Sequence, residues 1–320
     1  MPLIFRSLAS RFRRPGLLVP RQGNRTGPAK IEMAKVGHRY DNNVQVLQNV
    51  SLDIHAGEFV CLLGPSGCGK STLLYALAGD VAPSGGKISI DGNPVSGPSP
   101  ERLLMYQEAA LFPWMSVKQN LKFALRAKGL SLEESEQRAN EFIGLVQLDG
   151  FENTLPHQLS GGMRMRVSLA RALSMDPSVL LMDEPFAPLD AQTRARMHQL
   201  LQSIWVRTRK TVVFVTHDVR EALVLGDRVV VMASRPGRIL QDLEVRMPRP
   251  RDPDDDAVVR LSRQIRELLR REEANRDTPV PVSKQAEPEP GAEPKAVGSE
   301  PRLSTDRRAG ELIGSAGARR

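Results

Sequence analysis

The chain has 320 residues, 40% of them hydrophobic, and a formal net charge of +8, a size that suits one large domain with extensions. No apolar run approaches the roughly 18 residues of a membrane span, and the two cysteines, Cys61 and Cys68, are too few for a disulfide framework, lack metal spacing and fit a reducing cytoplasm. Seven Lys or Arg and no acid fall in residues 1–30, and eight basic against seven acidic residues in 276–320, so residues 31–275 carry no net charge and give little support to a nucleic-acid-binding face.

Residues 1–30 are expected to be a disordered basic leader; arginines interrupt any apolar core of a secretory signal. Residues 31–60 alternate apolar and polar and predict antiparallel strands, and residues 86–106 repeat that character, so together they predict a small sheet beside the segment that follows residue 60. Residues 116–148 turn to helical spacing through Val117, Leu121, Phe123, Leu125, Phe142, Ile143 and Val146, with Ser131 and Glu134 as a capping box. Residues 178–182, 211–215 and 228–232 are nearly continuous apolar runs, as buried parallel strands are. A last amphipathic helix is predicted over 255–273, and a disordered tail rich in Pro, Glu, Ala and Gly over 274–320.

The chemistry concentrates in residues 64–72, Gly64, Pro65, Ser66, Gly67, Cys68, Gly69, Lys70, Ser71 and Thr72, which fit G-x-x-x-x-G-K-[ST]. An apolar strand-like run precedes them and residues 73–78 open a helix, the setting this phosphate-binding loop requires. The glycines let backbone N–H groups point at phosphate oxygens, and the helix N-terminus adds positive partial charge. Lys70 supplies a cation for the β- and γ-phosphates, Ser71 a hydroxyl for Mg²⁺, and Thr72 reaches the α-phosphate. Four apolar residues at 179–182 then deliver Asp183 to the metal and Glu184 to a water facing the γ-phosphate.

A third motif, Ser160, Gly161, Gly162 and Met163 after Leu159, is a second anion-binding helix start about ninety residues beyond the loop. With it the chain resembles the ATP-binding-cassette (ABC) transporter ATPases over residues 31–273. The resemblance implies an α/β fold: a P-loop RecA-like core, an antiparallel β-subdomain and a helical subdomain at about 108–165. It implies that Tyr40 stacks on adenine and that Gln107 senses Mg²⁺ and water. Residues 160–163 would reach the ATP of the opposite subunit. Glu184 would be the general base, Asp190 would lie with Leu189 at the dimer interface, and His217 would be the switch histidine near the γ-phosphate. His38, His55, His157 and His198 lack such a context and are expected at the surface or in packing. Residues 107–114, Met163, residues 234–239 and 247–253 look like the nitrate/sulfonate/taurine importer branch.

The resemblance therefore implies an ATPase that uses ATP and Mg²⁺ and pairs with a second ATPase subunit, as a homodimer. It would work at the cytoplasmic face of the inner membrane with two membrane permease subunits and an external solute-binding protein, without nucleic acid. Leu111, Phe112 and Trp114 are candidates for the permease-docking surface. A soluble ABC ATPase acting on DNA or ribosomes fits less well, because there is one cassette, no long coiled-coil insertion and a neutral body. An exporter subunit is the other alternative, disfavoured by the branch-like C-terminal motifs.

Overall fold

A computed structural model describes residues 17–20, 28–40 and 43–277. In chain order the elements are β1 (Leu18–Pro20), β2 (Ile31–Arg39), β3 (Gln45–Ile54), β4 (Phe59–Leu63), α1 (Lys70–Ala78), β5 (Gly85–Ile90), β6 (Asn93–Pro94) and β7 (Arg102–Met105). There follow α2 (Val117–Ala127), α3 (Leu132–Leu145), α4 (Gly161–Ser174), β8 (Val179–Asp183), α5 (Ala191–Thr208), β9 (Thr211–Thr216), α6 (Val219–Leu225), β10 (Arg228–Ala233), β11 (Arg238–Val245) and α7 (Asp256–Asp277).

Among the described residues the strands form two sheets. The larger has the order β1-β11-β10-β4-β9-β8-β7, parallel from β10 to β7 and antiparallel at its β1–β11 edge. The smaller is antiparallel, in the order β3-β2-β5-β6. Every residue of β4, β8, β9 and β10 is buried, as expected of parallel strands covered on both faces.

Strand alternation sorts their side chains into two cores. Val60 and Leu62 of β4, with Val213 and Val215 of β9, pack on Leu73, Leu74 and Leu77 of α1 and on Ile31, Leu52 and Ile54 of the small sheet. Phe59, Cys61 and Leu63 face the other way, with Met182, Phe214, Trp205 and the apolar stripes of α2 to α7. The central strand β4 thus fixes the root of α1 between two packed layers, and the glycine-rich turn leaves the sheet at its carboxyl edge. That is where parallel α/β sheets place ligands.

The helical layer is capped from its own sequence. Ser131 accepts from the Glu134 N–H at 3.1 Å while Glu134 returns to the Ser131 N–H at 2.8 Å. Ser116 and Gln119 make the same reciprocal pair at the start of α2. Buried Asn120 accepts from the Phe112 N–H at 2.9 Å and donates to the Met115 carbonyl at 2.9 Å, tying the segment after β7 to α2.

Several boundaries differ from the sequence reading. Residues 17–20 do not belong to a disordered leader: Leu18 pairs with Val245 and Pro20 with Leu243, a partnership more than 220 positions away that no local pattern announces. The rest of the described leader is residues 28–30, and residues 1–16 and 21–27 lie outside the description. Residues 102–105 belong to the parallel sheet, not the small one, because Arg102 to Met105 pair with Val179 to Met182. A four-residue edge strand is too short to show which period it follows. β11 had no strand prediction. Phe123, assigned to the apolar stripe, is 48% exposed. α7 runs to Asp277, past residue 273, through Ala274, Asn275, Arg276 and Asp277, which carry no large apolar marker. The tail beyond residue 277 lies outside the description.

Candidate functional site

The first turn of α1 begins inside the glycine-rich loop. Gly69 caps it in the left-handed region at φ 89°, and a Cβ there would stand 2.7 Å from Leu47 Cδ2, so neither the backbone nor the packing tolerates a side chain. Gly64 is hemmed in as closely, its missing Cβ falling 2.6 Å from the Met232 carbonyl and 2.9 Å from Cys68 Sγ. Burial pushes the Cys68 thiol up, so it is a protonated wall of the loop rather than a thiolate.

Lys70 is 4% exposed, and its ammonium donates to the carbonyls of Gly64 at 2.9 Å and Pro65 at 3.1 Å. It therefore arches back over the loop that carries it, 3.9 Å from Glu184 Oε1. Ser71 Oγ donates to Asp183 Oδ1 at 2.9 Å, joining α1 to the end of β8. Lys70, Ser71, Thr72, Ser66, Gly67, Gly69, Gln107, Asp183 and Glu184 line one cleft of about 400 Å³, with Val46 as an apolar wall.

Glu184 follows β8 at φ 43°, an uncommon region for a residue with a side chain and one that concentrates at functional sites. Its N–H bonds the Val215 carbonyl at 3.1 Å, which holds the turn, and its carboxylate reaches both sides of the cleft mouth. Oε2 lies 2.8 Å from His217 Nδ1 at the end of β9. Neighbouring parallel strands thus deliver the carboxylate and the imidazole from adjacent ends, β8 and β9 being paired through Asp183 and Val215.

Tyr40 is 45% exposed, and its hydroxyl lies 3.2 Å from Thr72 Oγ1. Its ring and that of His38 stand nearly perpendicular, with centroids 4.7 Å apart. Gln107 is exposed in the segment after β7 and borders a second cleft, of about 470 Å³, that it shares with Gly161, Arg164, Pro188 and Leu189.

Ser160 caps α4, accepting from the Met163 N–H at 3.2 Å, with Ser160 and Gly161 exposed and Gly162 buried. Gly162 packs on α5: a Cβ there would fall 2.4 Å from Thr193 Cγ2. Asp190 caps α5 by accepting from the Thr193 N–H at 3.0 Å, and the bonds from Thr193 hold its carboxyl below the usual carboxylate range. None of residues 160–163 or Asp190 lines the cleft around Lys70. The structure brings together the loop, Asp183, Glu184, His217 and Gln107, with Tyr40 at the rim, and sets Ser160, Gly161 and Asp190 at exposed positions outside that cleft, Gln107 bordering both clefts.

Two residues here escaped the sequence reading. Tyr75 donates its hydroxyl to Asp183 Oδ2 at 2.8 Å; the helical step of four from Ser71 would have pointed to it. Thr193 backs Gly162, and no sequence signal links them. Of the remaining histidines, His38 and His198 are buried, His198 2.8 Å from Glu221, while His157 is exposed and His55 intermediate. Phe112 meets Phe123 at 4.7 Å and Trp114 at 5.8 Å, and Trp114 is 71% exposed.

The donors on α1 and β8 are oxygens: a hydroxyl, a carboxylate and, at the cleft wall, the Gln107 amide. That set suits a hard cation that takes its remaining ligands from phosphate and water.

The family model described as ABC transporter matches residues 47–187. The chain is 44% identical to an uncharacterised ABC transporter ATP-binding protein of Methanocaldococcus jannaschii, over 76% of this chain and 91% of that one. It is 43% identical to a nitrate import ATP-binding protein of Synechocystis, over 72% and 85%. With a taurine import ATP-binding protein of Roseobacter denitrificans it shares 47% identity, over 65% and 76%. Among solved structures, a dimeric ATP-binding cassette in a post-hydrolysis state bound to ADP and Pi superposes with a TM-score of 0.60 at 32% identity, over 68% of this chain and all of that one. A glycine-rich loop rooted in a central parallel strand, and relatives of this likeness along three quarters of the chain, lead to one conclusion: the chain belongs to the ABC transporter ATP-binding proteins, which are ATPases.

Proposed function

We propose that this chain is the ATP-hydrolysing subunit of an importer for a small anionic or zwitterionic solute of the nitrate, sulfonate or taurine class, working at the cytoplasmic face of the cell membrane. The relatives named for nitrate and taurine import support the solute class. The observation that carries the enzymatic reading is the cleft in which Lys70, Ser71, Asp183, Glu184 and Gln107 converge, with His217 on Glu184.

In this reading the N–H groups of residues 66–72 and the Lys70 ammonium hold the β- and γ-phosphates, Thr72 takes the α-phosphate, and Tyr40 offers its ring to adenine. Ser71, Asp183 and Gln107 would hold Mg²⁺, which would supply positive charge against the phosphates. Glu184 accepts the proton of the attacking water from the cleft side. His217 orients that carboxylate through Nδ1 and stands beside the γ-phosphate as charge spreads over it.

The Ser160 motif lies outside this cleft, so one chain does not close a site. A second copy, turned head to tail, brings Ser160, Gly161, Gly162 and Met163 to the first copy's γ-phosphate, with Leu189 and Asp190 between them. ATP thus stabilises the pair, and hydrolysis removes that differential contact. Among the described residues no helix is long and apolar enough to cross a membrane. In this reading two permease subunits form the path, an external solute-binding protein delivers the solute, and the exposed aromatics around Trp114 dock on a permease loop.

Glu184→Gln tests the assignment. The variant binds ATP, hydrolyses it roughly 10²–10⁴-fold more slowly and accumulates as an ATP-bound dimer by light scattering. Hydrolysis at the parent rate would remove Glu184 from the role of base. A stoichiometric polytopic protein recovered with the tagged chain from native membranes supports the importer assembly, and recovery only with ribosomes or nucleic acid refutes it.

A further inference from the structure

α1 presents Asp183 with two hydroxyls. Ser71 Oγ donates to Oδ1 at 2.9 Å, and Tyr75 OH, one turn further along the same helix face, donates to Oδ2 at 2.8 Å. Asp183 is 7% exposed and is the last residue of β8, so its backbone is fixed by the sheet. What remains soft is the carboxylate torsion, which is broad in aspartate. One donor would leave the second oxygen free to rotate, and two donors from one rigid helix set the plane.

Tyr75 is itself held. Its ring centroid lies 6.3 Å from that of Tyr106, the residue before Gln107, and the Tyr106 hydroxyl reaches Asp80 at 3.5 Å. Tyr75 does not line the cleft itself.

We propose that Tyr75 is a positioning residue for the Mg²⁺ site, locking the Asp183 carboxylate so that Oδ1 and the lone pairs of Ser71 Oγ meet the cation together. The proposal rests on the assignment of Ser71 and Asp183 as metal ligands. Groups that orient a ligating carboxylate govern metal affinity without touching the metal. The effect of removing this one should therefore appear in the magnesium dependence of nucleotide binding and not in nucleotide binding as such.

Tyr75→Phe deletes the hydroxyl and keeps the ring against Tyr106. Binding of a slowly hydrolysed ATP analogue to the full chain is followed by fluorescence, first in EDTA and then through a Mg²⁺ titration. The expected result is a half-saturating Mg²⁺ concentration raised roughly 10-fold, with analogue affinity in EDTA unchanged. An unchanged Mg²⁺ midpoint overturns the proposal. So does equal weakening with and without the metal, which marks Tyr75 as a packing residue. Analogue binding to the unaltered chain that ignores Mg²⁺ altogether refutes the Ser71–Asp183 metal site itself, and the positioning role falls with it.

Discussion

Gly162→Ala places a methyl group 2.4 Å from Thr193 Cγ2, where ordinary contact begins near 3.4 Å, so α4 and α5 must part by about 1.0 Å unless Thr193 turns. Turning it about χ1 disturbs the side-chain bond between Thr193 and Asp190 at the cap of α5. Overpacking of this kind costs about 1–3 kcal/mol. Alanine returns up to about 1 kcal/mol through its helix preference over glycine. With the full return the net loss is about 0–2 kcal/mol, a fall of up to about 8 °C in melting temperature for a domain of this size. The same displacement shifts Ser160 and Gly161, which have to meet a partner's nucleotide, so ATPase activity at saturating ATP should fall by more than the stability change accounts for. Thr193→Ala removes the offending methyl and leaves the Cβ at 3.8 Å, while the Asp190 cap keeps the residue-193 N–H. Urea unfolding and steady-state ATPase assays of both single variants and the double variant form a cycle, with an expected coupling of about 1 kcal/mol or more. A double variant no better than Gly162→Ala alone, with no coupling between the two sites, refutes the steric argument.

Arg228→Met strips the guanidinium from Glu58, 2.6 Å away and 3% exposed, and from Asp242; breaking such a buried ion pair should cost about 3–5 kcal/mol. Adding Glu58→Leu should recover part of that loss in urea unfolding, because the more deeply buried of the two carboxylates is then gone, while Asp242 is 22% exposed. Glu136 is held at about 2 by bonds from Lys118 and Lys122 of the neighbouring helix. A depressed carboxyl stabilises the fold above its unfolded range and loses that contribution as pH falls through its folded value. Glu136→Gln should thus be less stable than the parent at neutral pH, by denaturant unfolding, with the gap shrinking only as pH drops below the usual carboxylate range. A gap independent of pH would refute the ionic account.

The phosphate loop was legible because each of its requirements is local: glycines at fixed offsets, an apolar strand before them and a helix after. Asp183 and Glu184 were legible for the same reason, a four-residue buried run ending in two acids. The positive φ of Glu184 and its bond to His217 were not, since they depend on β8 and β9 being neighbours. Long-range pairing also explains the errors. β1 and β7 are edge strands of three and four residues whose partners supply most of the reason for their conformation. Phe123 has helical spacing but turns outward to Phe112. Tyr75 was read only as part of an opening helix, because its polar end matters solely through Asp183.

The short strand at Leu18–Pro20 changes how the protein ought to be trimmed. β11 carries Leu243 and Val245, each 5% exposed, and its outer margin bonds to β1 and to the Leu17 carbonyl, which accepts from the Arg246 N–H at 2.7 Å. A product shortened to begin at residue 31 would leave that margin as an unpaired, apolar template for a neighbouring molecule's strand. The few residues ahead of the cassette thus act as a guard against self-association, and an expression tag is better placed ahead of them than in their stead.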